Sequence, residues 1–249
     1  MWQEAGHHVR LMTVTPLGDH VKHADLHVIR QPDPQEWIKQ MIWADVFFQN
    51  GVSLRSIAYP IITRTPIVFR HPNLLTSNED GTDLPNMLKR WTTHFGYNIA
   101  SCQAVADTIP GPKTIVPNTF RSLFDQEDTP DDSERSGLLL VGRLVSVKGV
   151  DVAIEALKQL HTRGNKHSLT ICGDGPDREM LEQRVSDYGL EEFVSFEGWT
   201  TPEELAQYYQ QAAVTLVPSR YEPFGIVALE AIASGSPVVA SRVNGLPES

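Results

Sequence analysis

Short apolar runs alternate with stretches of helical spacing along almost the whole chain. In the first half the runs are Val9–Val14, Asp45–Phe48, Pro66–Phe69, Tyr97–Ala100 and Thr114–Val116, with helical patterns at Gln35–Trp43 and Leu84–His94. In the second half the runs are Leu138–Val141, Ser168–Cys172, Phe193–Phe196, Val214–Val217 and Pro237–Ala240. Helical patterns near Val150–Arg163, Asp177–Tyr188, Pro202–Gln211 and Gly225–Ser234 separate them. Strands this short and this apolar are buried on both faces. Alternation with helices therefore predicts an α/β fold of parallel sheets covered by helices.

With 249 residues the chain can build two domains, each with its own core. Between the halves lies Asp125-Gln126-Glu127-Asp128-Thr129-Pro130-Asp131-Asp132-Ser133-Glu134, acidic and without an apolar anchor. It reads as an exposed connection. The expected division is residues 1–118, a linker over 119–136, and residues 137–249. Thr201-Pro202-Glu203-Glu204 carries the marks of a helix start, a capping Thr followed by Pro and by Glu at the third position. Both ends read as cut. Trp2–Gly6 resembles a helix's last turn with no strand before it, and Asn244–Ser249 leaves a strand without a covering helix. The expectation is a chain truncated at both ends.

Charge narrows the function classes. The net charge is −10. Residues 1–118 are balanced, whereas residues 119–249 hold 21 acids against 11 bases. Nucleic-acid binding calls for a basic excess, so no nucleic-acid partner is expected. No apolar run reaches the roughly 20 residues that span a bilayer. No leader is evident, and Cys102 and Cys172 do not form a disulfide framework, so a cytoplasmic setting is expected. No His/Cys cluster has metal-ligand spacing. In so acidic a half, an anionic ligand must be held by individually placed cations and by backbone amides.

Ligands of open α/β sheets bind beyond the carboxyl ends of the strands. Four successive strands deliver glycines and polar groups there: Gly142-Arg143 with Lys148-Gly149; Gly173-Asp174-Gly175-Pro176; Gly198-Trp199; and Pro218-Ser219-Arg220-Tyr221-Glu222-Pro223-Phe224-Gly225. Arg143 and Lys148 could grip a diphosphate through a planar fork and a point charge. On spacing alone they are equally two solvated loop cations. Gly225 opens a helix whose free amides favour a phosphate or a sugar oxygen. Phe224 walls that pocket or packs in the core. Glu230 interrupts an apolar helical run and needs a partner. A ribose diol or a salt bridge would serve. Glu222 takes sugar hydroxyls or stands as a solvated acid. Gly173 lines the nucleotide pocket or only makes a turn, and Trp199 is expected to staple the helix beginning at Pro202. In the first half His71 and Gln49-Asn50-Gly51 follow strands, where an acceptor could approach. His7-His8 is expected to be simply exposed.

Taken in order, these residues resemble family 4 of the retaining, GT-B-fold glycosyltransferases (glycosyl transferases group 1). The resemblance is close to continuous from about 138 to 249. It runs through Gly142-Arg143-Leu144, Lys148-Gly149, Gly173–Pro176, Phe196-Glu197-Gly198, Pro218-Ser219, Glu222-Pro223-Phe224-Gly225, Glu230-Ala231, Gly235–Ala240 and Gly245–Glu248. It is weaker in the first half, through Gly6–Val9, Asp45–Asn50, Pro66–His71, Ser101–Ala106 and Val116–Asn118. The resemblance implies two Rossmann-like domains facing across a cleft, the first on the acceptor side and the second binding a nucleotide sugar. It implies that Arg143 and Lys148 neutralise the donor diphosphate without a metal and that Glu230 holds the ribose. Glu222, Pro223 and the amides of Phe224, Gly225 and Ile226 would hold the transferred sugar and the phosphate. His71 would stand at the acceptor side. No cofactor is implied beyond the nucleotide-sugar donor. The acceptor is a sugar, a lipid-linked sugar or another hydroxyl, with peripheral membrane contact left open. The family normally opens with a strand and a glycine-rich loop, and this chain begins after both. A non-catalytic nucleotide-sugar-binding remnant and a GT-B-like sugar-nucleotide epimerase are the alternatives.

Overall fold

The structure, a computed structural model, describes residues 2–15, 27–75, 84–124 and 135–249. The acidic stretch 125–134 lies outside them. The strands are β1 (Arg10–Thr13), β2 (His27–Arg30), β3 (Phe47–Asn50), β4 (Ile67–His71), β5 (Tyr97–Ala100), β6 (Lys113–Ile115), β7 (Leu138–Val141), β8 (Leu169–Cys172), β9 (Val194–Gly198), β10 (Val214–Val217) and β11 (Val238–Ala240). The α-helices are α1 (Pro34–Trp43), α2 (Ala58–Thr63), α3 (Leu84–Thr92), α4 (Gln103–Asp107), α5 (Val150–Thr162), α6 (Arg178–Asp187), α7 (Pro202–Gln211) and α8 (Ile226–Ala233). The expected strands and helices are all present, with boundaries moved by one or two residues. The sequence reading missed β2, α2 and α4.

Two compact units emerge. The smaller comprises residues 1–70, 76–98 and 110–112; the larger comprises 71–75, 99–109 and 113–249. In the smaller unit β1 pairs in parallel with β2, and β3 with β4. β3 and β4 are strands of a four-stranded sheet of order β3-β4-β5-β6. Ile57, Ile67 and Phe69 form a core there, with Phe47 and Val52 against it. Residues 2–6 form a turn closed by Gly6 at φ 86° and by the His7 amide donating to the Trp2 carbonyl.

The larger unit holds a five-stranded sheet of order β11-β10-β7-β8-β9, and every described strand pair in it is parallel. Strand alternation sends neighbouring residues to opposite faces. Leu140, Leu169 and Ile171 join Ile154 and Leu157 of α5 and Leu181 and Val185 of α6 in one core. Leu139 and Cys172 join Ala206 and Tyr209 of α7 and Ala231 of α8 in another. Both faces are therefore covered, which is why β7 and β8 contain almost no polar residue. Phe124 closes the second core, its ring edge-on to Tyr209 with centroids 5.8 Å apart.

The strand order has a functional consequence. From β7 the chain builds outward through β8 to β9, then returns to the other side of β7 to lay down β10 and β11. The helices that follow β7 and β10, α5 and α8, thus cover opposite faces of the sheet. Such a reversal opens a crevice at the carboxyl ends of those two strands.

Candidate functional site

The two loops at this reversal are built to lie against each other. After β7, Gly142 and Arg143 lead into a 3-10 turn, Ser146–Lys148, which ends at Gly149 in the left-handed region (φ 68°). A Cβ at Gly149 would come within 2.0 Å of the Pro218 carbonyl oxygen, so only glycine allows the β7 loop to touch the β10 loop here. Backbone bonds lace them further. The Arg220 amide donates to the Val147 carbonyl at 2.8 Å.

This contact places Lys148 beside Glu222. Lys148 Nζ lies 2.6 Å from Glu222 Oε2, and Ser219 Oγ donates to the same oxygen at 3.3 Å. Glu222 is only 8% exposed. Its amide donates to Asn244 Oδ1, and its carbonyl accepts from the Gly245 amide. The sequence left Glu222 open as a solvated acid; the structure buries it and pairs it. Arg143 is exposed, and among the described residues its guanidinium meets no carboxylate or other acceptor. It is an unengaged cation beside an engaged one.

The β8 loop completes the floor. Gly173 has φ 135°, and a Cβ there would reach the Gly142 carbonyl oxygen at 2.0 Å. Its amide donates to the Gly198 carbonyl. Gly173 therefore does more than turn the chain, because it sets how closely the β7 and β8 loops approach. The Asp174 carbonyl accepts from the Leu144 amide in the same lacing.

Gly225 caps α8 with φ 96°. The first amides of a helix have no partner within it, so those of Ile226 and Val227 are donors at the positive end of the helix dipole. Ile226 is exposed (41%), whereas Phe224 is buried (4%). The Phe224 ring packs with Ala100, Cys102, Val105, Ala106 and Ile109, so its side chain is core, and Pro223 turns its carbonyl to the Cys102 thiol at 3.2 Å. Further into α8, Glu230 is half-buried. Its Oε2 accepts from the Tyr209 hydroxyl at 3.2 Å. Burial pushes this carboxyl above the ordinary glutamate value, against the pull of the Tyr209 bond and the Arg121 charge. Burial and the Glu230 carboxylate push the Tyr209 phenol up strongly. Tyr209 is the residue that sequence reading missed, since it reads as one more apolar position of α7.

His71 ends β4 and is 2% exposed; residues 71–75 belong to the larger unit. In the smaller unit the Gln49 amide donates to Ser56 Oγ at 2.9 Å, and Asn50 accepts from Arg70. His7 and His8 are exposed, and together with Arg10, His27 and Trp43 they line a cavity of about 440 Å³. Trp199 does not staple α7 but stands 81% exposed. The capping box carries that helix start without it: the Glu204 amide donates to Thr201 Oγ1 and the Thr201 amide to Glu204 Oε2. Among the described residues no three His, Cys, Asp or Glu side chains are grouped to hold a metal, and no helix is long and apolar enough to cross a membrane.

Parallel α/β layers, a strand-order reversal and glycine-fitted loops at its carboxyl edge define a Rossmann-like architecture. The glycosyl transferases group 1 family model matches residues 122–249, and the chain belongs to that family. An uncharacterized glycosyltransferase of Methanocaldococcus jannaschii is 44% identical over 131 residues, 53% of this chain and 32% of that protein. Glycogen synthase of Mycobacterium tuberculosis is 40% identical over 171 residues, 65% of this chain and 41% of that protein. The chain thus aligns with well under half the length of these curated relatives. A crystal structure of Anabaena HepE in complex with UDP and glucose superposes with a TM-score of 0.75 at 20% identity, covering 91% of this chain and 70% of that one. The fold is accordingly α/β, with two parallel-sheet regions of GT-B type.

Proposed function

We propose that the chain serves a glycosyltransferase that moves a sugar from a nucleoside-diphosphate sugar to an acceptor hydroxyl with retention of anomeric configuration. One observation carries this reading: the β7 loop, which bears Arg143 and Lys148, packs on the β10 loop, which bears Glu222 and leads into α8, and Lys148 pairs with Glu222 across that contact. A diphosphate needs that combination of an unengaged guanidinium, an ammonium and helix amides. The UDP and glucose bound to HepE and the names of the relatives, a glycosyltransferase and a glycogen synthase, support the same substrate class.

In this reading Arg143 and Lys148 meet the diphosphate charge. When the phosphate takes Lys148, Glu222 is released to accept hydrogen bonds from the transferred sugar. Gly173 lines the floor beside the nucleotide, the amides of Phe224, Gly225 and Ile226 hold the sugar and phosphate, and Pro223 lies beside them in the donor site. Glu230 accepts the ribose hydroxyls. His71 is assigned to the acceptor side. The C1–oxygen bond to the leaving phosphate breaks as the acceptor oxygen attacks from the same face, and a leaving phosphate oxygen takes the acceptor proton. The protein contributes positioning and charge stabilisation. The division into an acceptor-side part to residue 118, a connection over 119–136 and a donor-side part from 137 belongs to this proposal, as does a cytoplasmic setting, which the two free, buried cysteines favour.

The test is transfer from a panel of UDP-, GDP- and ADP-sugars, with nucleotide binding followed by thermal shift. Turnover should collapse in Arg143→Ala and in Glu230→Ala. Wild-type turnover in both variants would sink the reading, and nucleotide binding without turnover would leave only a donor-binding protein.

A further inference from the structure

Lys148 and Glu222 face each other only because two loops, leaving strands β7 and β10, hold a fixed distance. The Arg220 side chain spans those loops. Its Nη1 and Nη2 donate to Asp151 Oδ1 and Oδ2 at 2.8 and 2.7 Å, a bidentate pair, and Nη1 also donates to the Ser146 carbonyl at 2.7 Å. The backbone adds the Arg220 amide on Val147. One residue therefore ties both the start of the turn that carries Lys148 and the first turn of α5 that follows it. Arg220 is itself two residues before Glu222, and Asp151 is three after Lys148. The clamp and the ion pair are the two ends of one small bracket. Arg184 adds a second guanidinium 3.7 Å from Asp151, and the Arg220 bonds hold the Asp151 carboxyl below the usual aspartate range.

We propose that Arg220 and Asp151 are positioning residues for the donor diphosphate. They hold the Ser146–Lys148 turn against the β10 loop, so that the ammonium is already placed when the phosphate arrives. This rests on the donor-site reading of Lys148 and Glu222. An exposed ion pair ordinarily contributes little, and Arg220 is 46% exposed. Here the guanidinium fork engages both carboxylate oxygens and a backbone carbonyl, a geometry with little freedom to drift. Its consequence is registration of the Lys148 turn more than global stability. Lysine cannot reproduce the fork, so Arg220→Lys keeps the charge and loses most of the registration.

Two readouts test this on the whole chain. The first is competitive acetylation of Lys148 with acetic anhydride, read by peptide mass spectrometry against Lys166. Arg220→Ala should raise Lys148 labelling by about threefold or more, Asp151→Asn should raise it less, and Arg220→Lys should fall between wild type and Arg220→Ala. Melting should shift by only about 2–4 °C. The second is the Kd of the tightest binder among UDP, GDP and ADP. It should weaken by about tenfold in Arg220→Ala and show no further loss when Arg220→Ala is added to Lys148→Ala. Unchanged labelling overturns the proposal. So does raised labelling with unchanged nucleotide affinity, or a full additional loss in the Lys148→Ala background. If labelling rises but no nucleotide binds the wild-type chain, the donor-site reading fails and the loop registration stands.

Discussion

Glu222 and Glu230 lie eight residues apart, on either side of the start of α8. Glu222 is on the loop, 8% exposed, and its carboxylate meets the Lys148 ammonium at 2.6 Å. Glu230 is inside the helix, half-buried, and its carboxylate accepts from the neutral Tyr209 hydroxyl at 3.2 Å. A cation compensates the desolvation of the first carboxylate. A phenol does so only partly for the second, and its carboxyl is raised accordingly. In the proposed reading the first carboxylate is released by exchange, when an anion draws Lys148 away. The second gains from any ligand that brings further hydroxyl donors. In that reading they suit one group at the sugar and one at the ribose.

The largest expected effect breaks the first half of this contrast. Lys148→Ala should lower kcat/KM for the nucleotide-sugar donor by about 100- to 1000-fold, because a preorganised charge at the leaving group is lost. Steady-state kinetics at saturating acceptor checks it, and a change below threefold would remove Lys148 from the chemistry. Next in size is Gly149→Ala. The added Cβ meets the Pro218 carbonyl oxygen, and the left-handed backbone is strained, so a loss of about 2–4 kcal/mol is expected in urea unfolding. The same variant should separate the two loops while leaving Glu230 and Tyr209 in place.

The second half is sharpened by smaller changes. Tyr209→Phe removes one donor to a half-buried carboxylate and should cost about 1 kcal/mol. It should also weaken nucleotide affinity while sparing the Lys148–Glu222 pair. The pH dependence gives the smallest effect. With its value raised on folding, Glu230 binds its proton more tightly in the native protein than in the unfolded chain. Its contribution is therefore most favourable below the ordinary value of 4.5 and is lost as pH rises through the folded value. Glu230→Gln should flatten that decline and leave the ligand-free protein more stable at neutral pH by less than about 1 kcal/mol. A steeper decline in the variant would contradict the burial argument.

Several features were legible in residue order alone. The apolar runs of β7 and β8 announce strands covered on both faces, and Thr201–Glu204 announces a capped helix. The glycines at 149, 173 and 225 mark where the backbone turns. Less was legible in the first half. β2 is four residues with a single apolar pair, Val28-Ile29, and α2 contains Pro60, which periodicity treats as a stop. α4 has five residues, and the Glu248 carboxylate accepts from its Gln103 and Ala104 amides at 2.6 and 2.9 Å. A helix start stabilised from 144 residues away leaves no local signal.

What the sequence determined by itself was the α/β layering and the set of polar residues that strand order would gather at one edge, because periodicity and glycine chemistry act over a few residues. Only the tertiary structure decided which of those residues meet. It paired Lys148 with Glu222 across 74 positions, set Tyr209 under Glu230, locked Arg220 onto Asp151 and sent the Phe224 ring into the core. These outcomes depend on β10 being laid down beside β7, and the pairing of distant strands is a property of the packed sheet that no short stretch of the chain encodes.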